Sequence, residues 1–212
     1  MISLTLILVV MTSLISYQAF NNPAMMQQLT FRPALIKQNG EFYRFLTSGF
    51  VHGSWSHLLI NMFVLYQFGE FMEGFFSFIF GPGIGKIVYI IFYLSAIIIA
   101  SIPTYFRYQD NFAYGAVGAS GATSALIFGY ILYDPWQWFI FPPLPALILG
   151  VGYLFYSSYM DKKGTDNIGH NAHFWGAVYG LLFTIVSIVA MKPDMLNEIM
   201  GRLMAGPGAF GG

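Results

Sequence analysis

Ser120 stands in the run Gly118-Ala119-Ser120-Gly121, where a polar loop gives way to an apolar segment. A helix beginning there offers unpaired backbone N–H groups and the positive end of its dipole, which suits an oxygen that becomes negative during a reaction. Ser120 is therefore a candidate nucleophile. The same stretch also reads as a packing face, because Gly121, Ala125 and Gly129 recur every four residues and let another helix approach. Four histidines occur in two pairs, His52 with His57 and His170 with His173. His57 and Asn61 are four apart, so on a helix they share a face. Both can donate toward one point, as oxyanion stabilisers beside the Ser120 N–H or as a structural helix-to-loop tie. His173, Gly176 and Gly180 stand at i, i+3 and i+7, and the glycines permit contact with a second helix. A neutral imidazole brought to Ser120 can take its proton, which makes His173 the candidate base. The competing reading is an interfacial histidine bonded to a loop carbonyl. Asp166, the nearest aspartate, is read as a solvated loop residue, giving a dyad rather than a triad.

The elements that must position these groups follow from composition. The 212 residues are 57% hydrophobic and only 8% charged, against roughly 25% charged in soluble domains. An all-α polytopic membrane protein is expected. Net charge is zero and no basic run occurs, so nucleic acid is not an expected partner. The absence of cysteine removes thiol catalysis, disulfides and cysteine-ligated metals. No His-Glu-x-x-His motif accompanies the histidines, and no metal or cofactor is expected. A histidine-ligated haem or metal protein is the rival that the paired histidines invite.

A span takes about 20 apolar residues, and hydropathy delimits six: 1–21, 56–76, 86–106, 117–133, 143–160 and 171–191. The first lacks the basic start of a signal peptide and reads as retained rather than cleaved near Ala19. Spans two, four and six begin on the same side, which brings His57, Ser120 and His173 to one end of the bundle. The fourth, about 16 residues, is roughly 24 Å long against a ~30 Å hydrocarbon core. Ser120 then lies below the surface, under a water-filled depression walled by the long first loop and by Asp161 to His170. That first loop, about 35 residues with apolar clusters at Phe42 to Leu46 and Phe50-Val51, is expected to lie in the membrane interface. Gly81, Pro82, Gly83 and Gly85 mark a turn, and Pro142, Pro143 and Pro145 delay the fifth helix. Phe68, Phe71, Phe75 and Phe76 read as lipid-facing, with a lateral gate as the alternative. Residues 1–191 form the membrane domain; 192–212 hold a short surface helix over Pro193 to Met204 and a tail.

Three elements in order, His52-x-x-x-x-His57-x-x-x-Asn61, Gly118-Ala119-Ser120-Gly121 and Ala172-His173-x-x-Gly176-x-x-x-Gly180, make the chain resemble the rhomboid family of intramembrane serine proteases. The resemblance covers most of the chain. It implies a six-transmembrane-helix bundle with a membrane-associated first loop, a Ser120 nucleophile, a His173 base, and oxyanion stabilisation by His57, Asn61 and the Ser120 N–H. It gives supporting places to His52, Gly118, Gly121, Gly176 and Gly180, to Arg44 within an aromatic-arginine pair with Tyr43, and to Glu73 as a structural glutamate. The implied partners are transmembrane protein substrates and membrane lipid, and the implied location is the plasma membrane of a bacterium. An inactive relative that binds transmembrane helices is the alternative. The family topology puts Lys86, Lys192 and Arg202 inside and Arg32, Lys37, Arg44, Arg107, Lys162 and Lys163 outside, the reverse of the usual charge bias. Many relatives carry a tyrosine four residues after the serine to support the histidine. This chain has Ser124 there, and Phe174 or Trp175 is the expected replacement.

Overall fold

A computed structural model describes residues 3–139, 143–163 and 169–207; Asp166, Pro142 and the end of the tail lie outside the described residues. In chain order the helices are α1 (Leu4–Phe20), α2 (Pro23–Leu29), α3 (Pro33–Asn39), α4 (Arg44–Thr47), α5 (Trp55–Phe80), α6 (Pro82–Tyr108), α7 (Ser120–Tyr133), α8 (Ala146–Lys163), α9 (His170–Met191) and α10 (Met195–Ala205). Among the described residues, extended pairing is limited to the isolated bridges Phe31–Ala116 and Trp138–Pro145. Each expected span overlaps one helix, of 14 to 27 residues. By length and composition α6 and α9 can cross a membrane, while α1 and α7 are shorter apolar helices.

The ends differ from expectation where a single residue makes the turn. Gly81, at φ +86°, closes α5 and opens α6, and Pro82 takes the first helical position, where a missing N–H costs nothing. Gly83 and Gly85 therefore lie inside α6 rather than in the turn. Gly85 lets α6 approach α5, since a Cβ there would sit 2.5 Å from the Phe76 carbonyl carbon.

The 14-residue α7, about 21 Å long, is the centre of the molecule and contacts α5, α6, α8 and α9. Its small residues Gly121, Ala122, Ala125 and Gly129 are buried. Around it, Leu65, Met72, Phe76, Tyr89, Phe92, Tyr93 and Leu126 make the core. Four α5 phenylalanines belong to this core and not to the lipid face: Phe75 and Phe76 are buried, and Phe68 and Phe71 pack edge-on against Tyr130. Aromatic rings on α7 and α9 attract that face inward, a tertiary preference invisible along α5 alone.

Two charged residues finish helix ends. The Glu73 carboxylate on α5 is buried and accepts hydrogen bonds from the Leu4 and Thr5 N–H groups (3.1 and 2.9 Å) and from the Thr5 hydroxyl (3.1 Å). These donors head α1 and have no acceptor within their own helix. Arg44, also buried, donates Nη1–H bonds to the carbonyls of Gln27, Gln28 and Thr30 at 2.8, 2.5 and 2.9 Å, and pairs with Glu41. It thereby terminates α2 and folds the first loop on itself. Lys37 pairs with Asp110 and Arg107 with Asp161. Three of the cations counted on one side of the membrane are thus paired with carboxylates, Arg44 inside the fold and Lys37 and Arg107 at its surface.

At the opposite end α10 buries Met195 and Ile199. Arg202 donates to the Tyr133 carbonyl (3.2 Å) at the end of α7, and the Trp136 indole donates to the Leu203 carbonyl (3.0 Å).

Candidate active site

Ser120 is the first residue of α7, so its N–H lies where no intrahelical carbonyl can pair it. The approach to it needs glycine twice over at one position. Gly118 has φ +121°, and a Cβ there would fall 2.5 Å from Cε1 and 2.8 Å from Nε2 of His57. The His57 ring consequently covers the turn before Ser120. That turn is held from two sides: the Gly118 N–H donates to the Ser48 carbonyl (2.9 Å), and Phe31 and Ala116 exchange backbone hydrogen bonds of 3.0 and 3.1 Å. The long first loop therefore forms one wall beside Ser120.

The α7–α9 seam carries His173 to the same level. A Cβ on Gly176 would land on the Gly121 carbonyl, one on Gly180 would stand 2.6 Å from the Ala125 Cα, and one on Gly121 would meet the Ala172 carbonyl at 3.5 Å. Gly121 follows Ser120 and Ala172 precedes His173, so the two backbones touch beside both candidate groups. The same contact satisfies the packing reading of these glycines. A cavity of about 150 Å³ lined by Ser158, Asp161, His170, Asn171 and Phe174 opens between α8 and α9.

His52 is fully buried and holds the turn from behind. Its Nε2 accepts the Ala119 N–H at 3.4 Å, so in the neutral ring the proton resides on Nδ1. Nδ1–H then donates to Ser16 Oγ (2.9 Å), and the Ser16 hydroxyl donates to the Phe50 carbonyl (3.0 Å). Every donor in this chain is used once. The Gly118 and Ala119 N–H groups are thus engaged, and Ser120 follows them as the first residue of α7. Burial, and then the charge His57 can carry, push His52 down to about 3 from an ordinary 6.5. Because the folded value lies below the unfolded one, this stability is full above pH 6.5 and falls between pH 6.5 and 3, as the unfolded chain takes up the proton. Thermal unfolding in detergent should show a loss of about 1.4 kcal/mol per pH unit below 6.5 from this group, and His52→Gln should flatten that slope.

Asn61 is buried on α5 and joins it to α7. Its Oδ1 accepts from the Thr123 hydroxyl (3.2 Å), and Nδ2 donates one hydrogen to the His57 carbonyl (2.9 Å). The second Nδ2 hydrogen remains for another acceptor. The tie thus runs from helix to helix, and not from helix to loop.

His173 is buried, with Tyr153 of α8 stacked against it at 5.7 Å between centroids and 25° between planes. The Tyr153 hydroxyl lies 3.4 Å from Ser124 Oγ. The expected replacements do not reach this position: Phe174 packs edge-on against its neighbour Trp175, which is 40% exposed. Consecutive residues on α9 point away from the face that His173 presents. His170 contributes an edge contact to His173 at 5.7 Å. The sequence reading missed Tyr153, Ser16 and Thr123. Thr5, Thr12 and Ser16, recurring on one stripe of a largely apolar α1 and all buried, were the signal for Ser16.

A helical bundle with a serine heading its central helix and a histidine across a glycine seam agrees with a comparison against family models, where residues 39–189 match the Rhomboid domain. The chain belongs to the rhomboid family. It is similar to a protein of Arabidopsis thaliana named RHOMBOID-like protein 12, mitochondrial, with 27% identity over 177 residues, covering 77% of this chain and 51% of the relative. The chain thus spans about half the length of that curated relative. Its mitochondrial name lends no support to the expected bacterial plasma membrane.

Proposed function

We propose that this protein is an intramembrane serine endopeptidase acting on transmembrane helices of other membrane proteins. The reading is supported above all by the α7–α9 seam, where Gly121 and Ala172 meet beside Ser120 and His173. In this proposal α1 and α5 to α9 form the six-span domain of residues 1–191, and 192–212 are an appendage on it. Ser120 Oγ attacks a substrate carbonyl carbon while His173 takes the hydroxyl proton. The tetrahedral oxyanion is met by the Ser120 N–H, His57 and the second amide hydrogen of Asn61, each donor supplying about 10²- to 10³-fold in rate. His173 then protonates the leaving amine, and water hydrolyses the acyl-enzyme. A helical peptide bond is hidden in its own hydrogen bonds, so substrates are helices that unwind locally.

The test is cleavage of a labelled single-span substrate in proteoliposomes, with the Ser120→Ala protein alongside. Cleavage by the unaltered protein alone supports the reading. Cleavage by both assigns the chemistry to another nucleophile. Cleavage by neither, together with no labelling of Ser120 by a fluorophosphonate, supports the alternative of a relative that binds transmembrane helices without cutting them.

A further inference from the structure

The support of His173 is built from two helices. Gly150 on α8 allows close approach to α7, since a Cβ there would stand 2.6 Å from Ile131 Cδ1 and 3.3 Å from Phe128 Cζ. One turn later Tyr153 lies on the same face and reaches across the groove. Its ring lies nearly parallel to the His173 imidazole, 5.7 Å away, and its hydroxyl meets the buried Ser124 at 3.4 Å. Ser124 is one helical turn after Ser120 on α7. A small side chain at 124 leaves the volume that the ring fills, and its hydroxyl anchors the ring's far end. The phenol is therefore fixed at both ends: by α8, to which it belongs, and by α7, which it touches.

We propose that Tyr153 is the positioning residue for His173, holding the imidazole plane by stacking while Ser124 tethers the phenol. This rests on the protease reading only for its effect on rate; the ring pairing itself stands apart from it. A stacked aromatic restricts rotation of the imidazole and excludes water from one of its faces. Misplacing a proton acceptor by about 1 Å costs on the order of 10²-fold in rate. The effect falls on the chemical step, because neither Tyr153 nor Ser124 is assigned a substrate contact.

The test combines histidine NMR with kinetics on the full chain in detergent micelles. Only four histidines are present, so the His173 ring signal is assigned by its disappearance in His173→Gln. In Tyr153→Leu the His173 signal should shift as the ring current is lost, with the His52 signal unchanged as the control for folding. In the same variant kcat should fall about ten- to a hundredfold with KM unchanged. Tyr153→Phe keeps the ring but loses the tether, so it should retain most of the His173 shift and lose rate only as far as Ser124→Ala does. Ser124→Ala should give a smaller loss than Tyr153→Leu. A His173 signal unmoved in Tyr153→Leu overturns the pairing, and a moved signal with undiminished kcat overturns the positioning role. A moved signal in a protein whose unaltered form neither cleaves nor takes up a fluorophosphonate leaves the pairing in place and rejects the protease reading instead. If Tyr153→Leu fails to fold, Tyr153→Phe and Ser124→Ala decide: loss of the stacked shift in Tyr153→Phe counts against the proposal.

Discussion

Ser120→Ala and His173→Ala should each reduce cleavage of a single-span substrate to background, a loss of about 10³- to 10⁶-fold, and the double variant should be no slower than either. The equality matters more than the size. In the proposed dyad the serine is a weak nucleophile until the imidazole takes its proton, so removing either group removes the same step. Two groups acting separately would instead give multiplying losses. The residual rate is that supplied by substrate binding and by the N–H heading α7, which both variants keep. Measuring kcat/KM for both single variants and the double variant, with thermal midpoints to establish folding, checks this. A double variant clearly slower than both single variants would separate the two residues and reject the dyad.

Gly176→Ala should destabilise the bundle by more than helix propensity returns. Alanine is favoured over glycine in a helix by about 1 kcal/mol. Here the added methyl lands on the Gly121 carbonyl, a backbone atom that cannot rotate aside. The two helices must separate, and overpacking of this kind costs about 1–3 kcal/mol or more. Separation also draws His173 from Ser120, so activity should fall further than stability. Gly74→Ala on α5 is the control, since nothing lies within 4 Å of its added methyl and its midpoint should hold or rise. An unchanged midpoint in Gly176→Ala would show that α7 and α9 do not meet as closely as described.

The parts of this site legible in the sequence were those that repeat along one helix. His57 with Asn61, and His173 with Gly176 and Gly180, obey the period of their own helices, so sharing a face follows from spacing alone. The glycine-lined turn before Ser120 was legible for a similar reason, being local. Partners on separate helices were not. Nothing in the order of residues ties Tyr153 to His173 or Ser16 to His52, because those pairs form only after the helices have chosen neighbours. The inward turn of Phe68, Phe71 and Phe75 was lost in the same way: their partners Tyr130 and Tyr133 lie on α7.

The Glu73 cap on α1 also sets an order of events during synthesis. α1 begins with N–H groups whose acceptor is a side chain 69 residues further along. Until that residue emerges, the start of α1 cannot complete its hydrogen bonds within the protein, although its apolar length is already made. α1 is thus made before α5 and settled only together with it. A fragment ending before residue 73 would leave that end frayed, and a fragment beginning at residue 39 would deprive His52 of the hydroxyl that orients it.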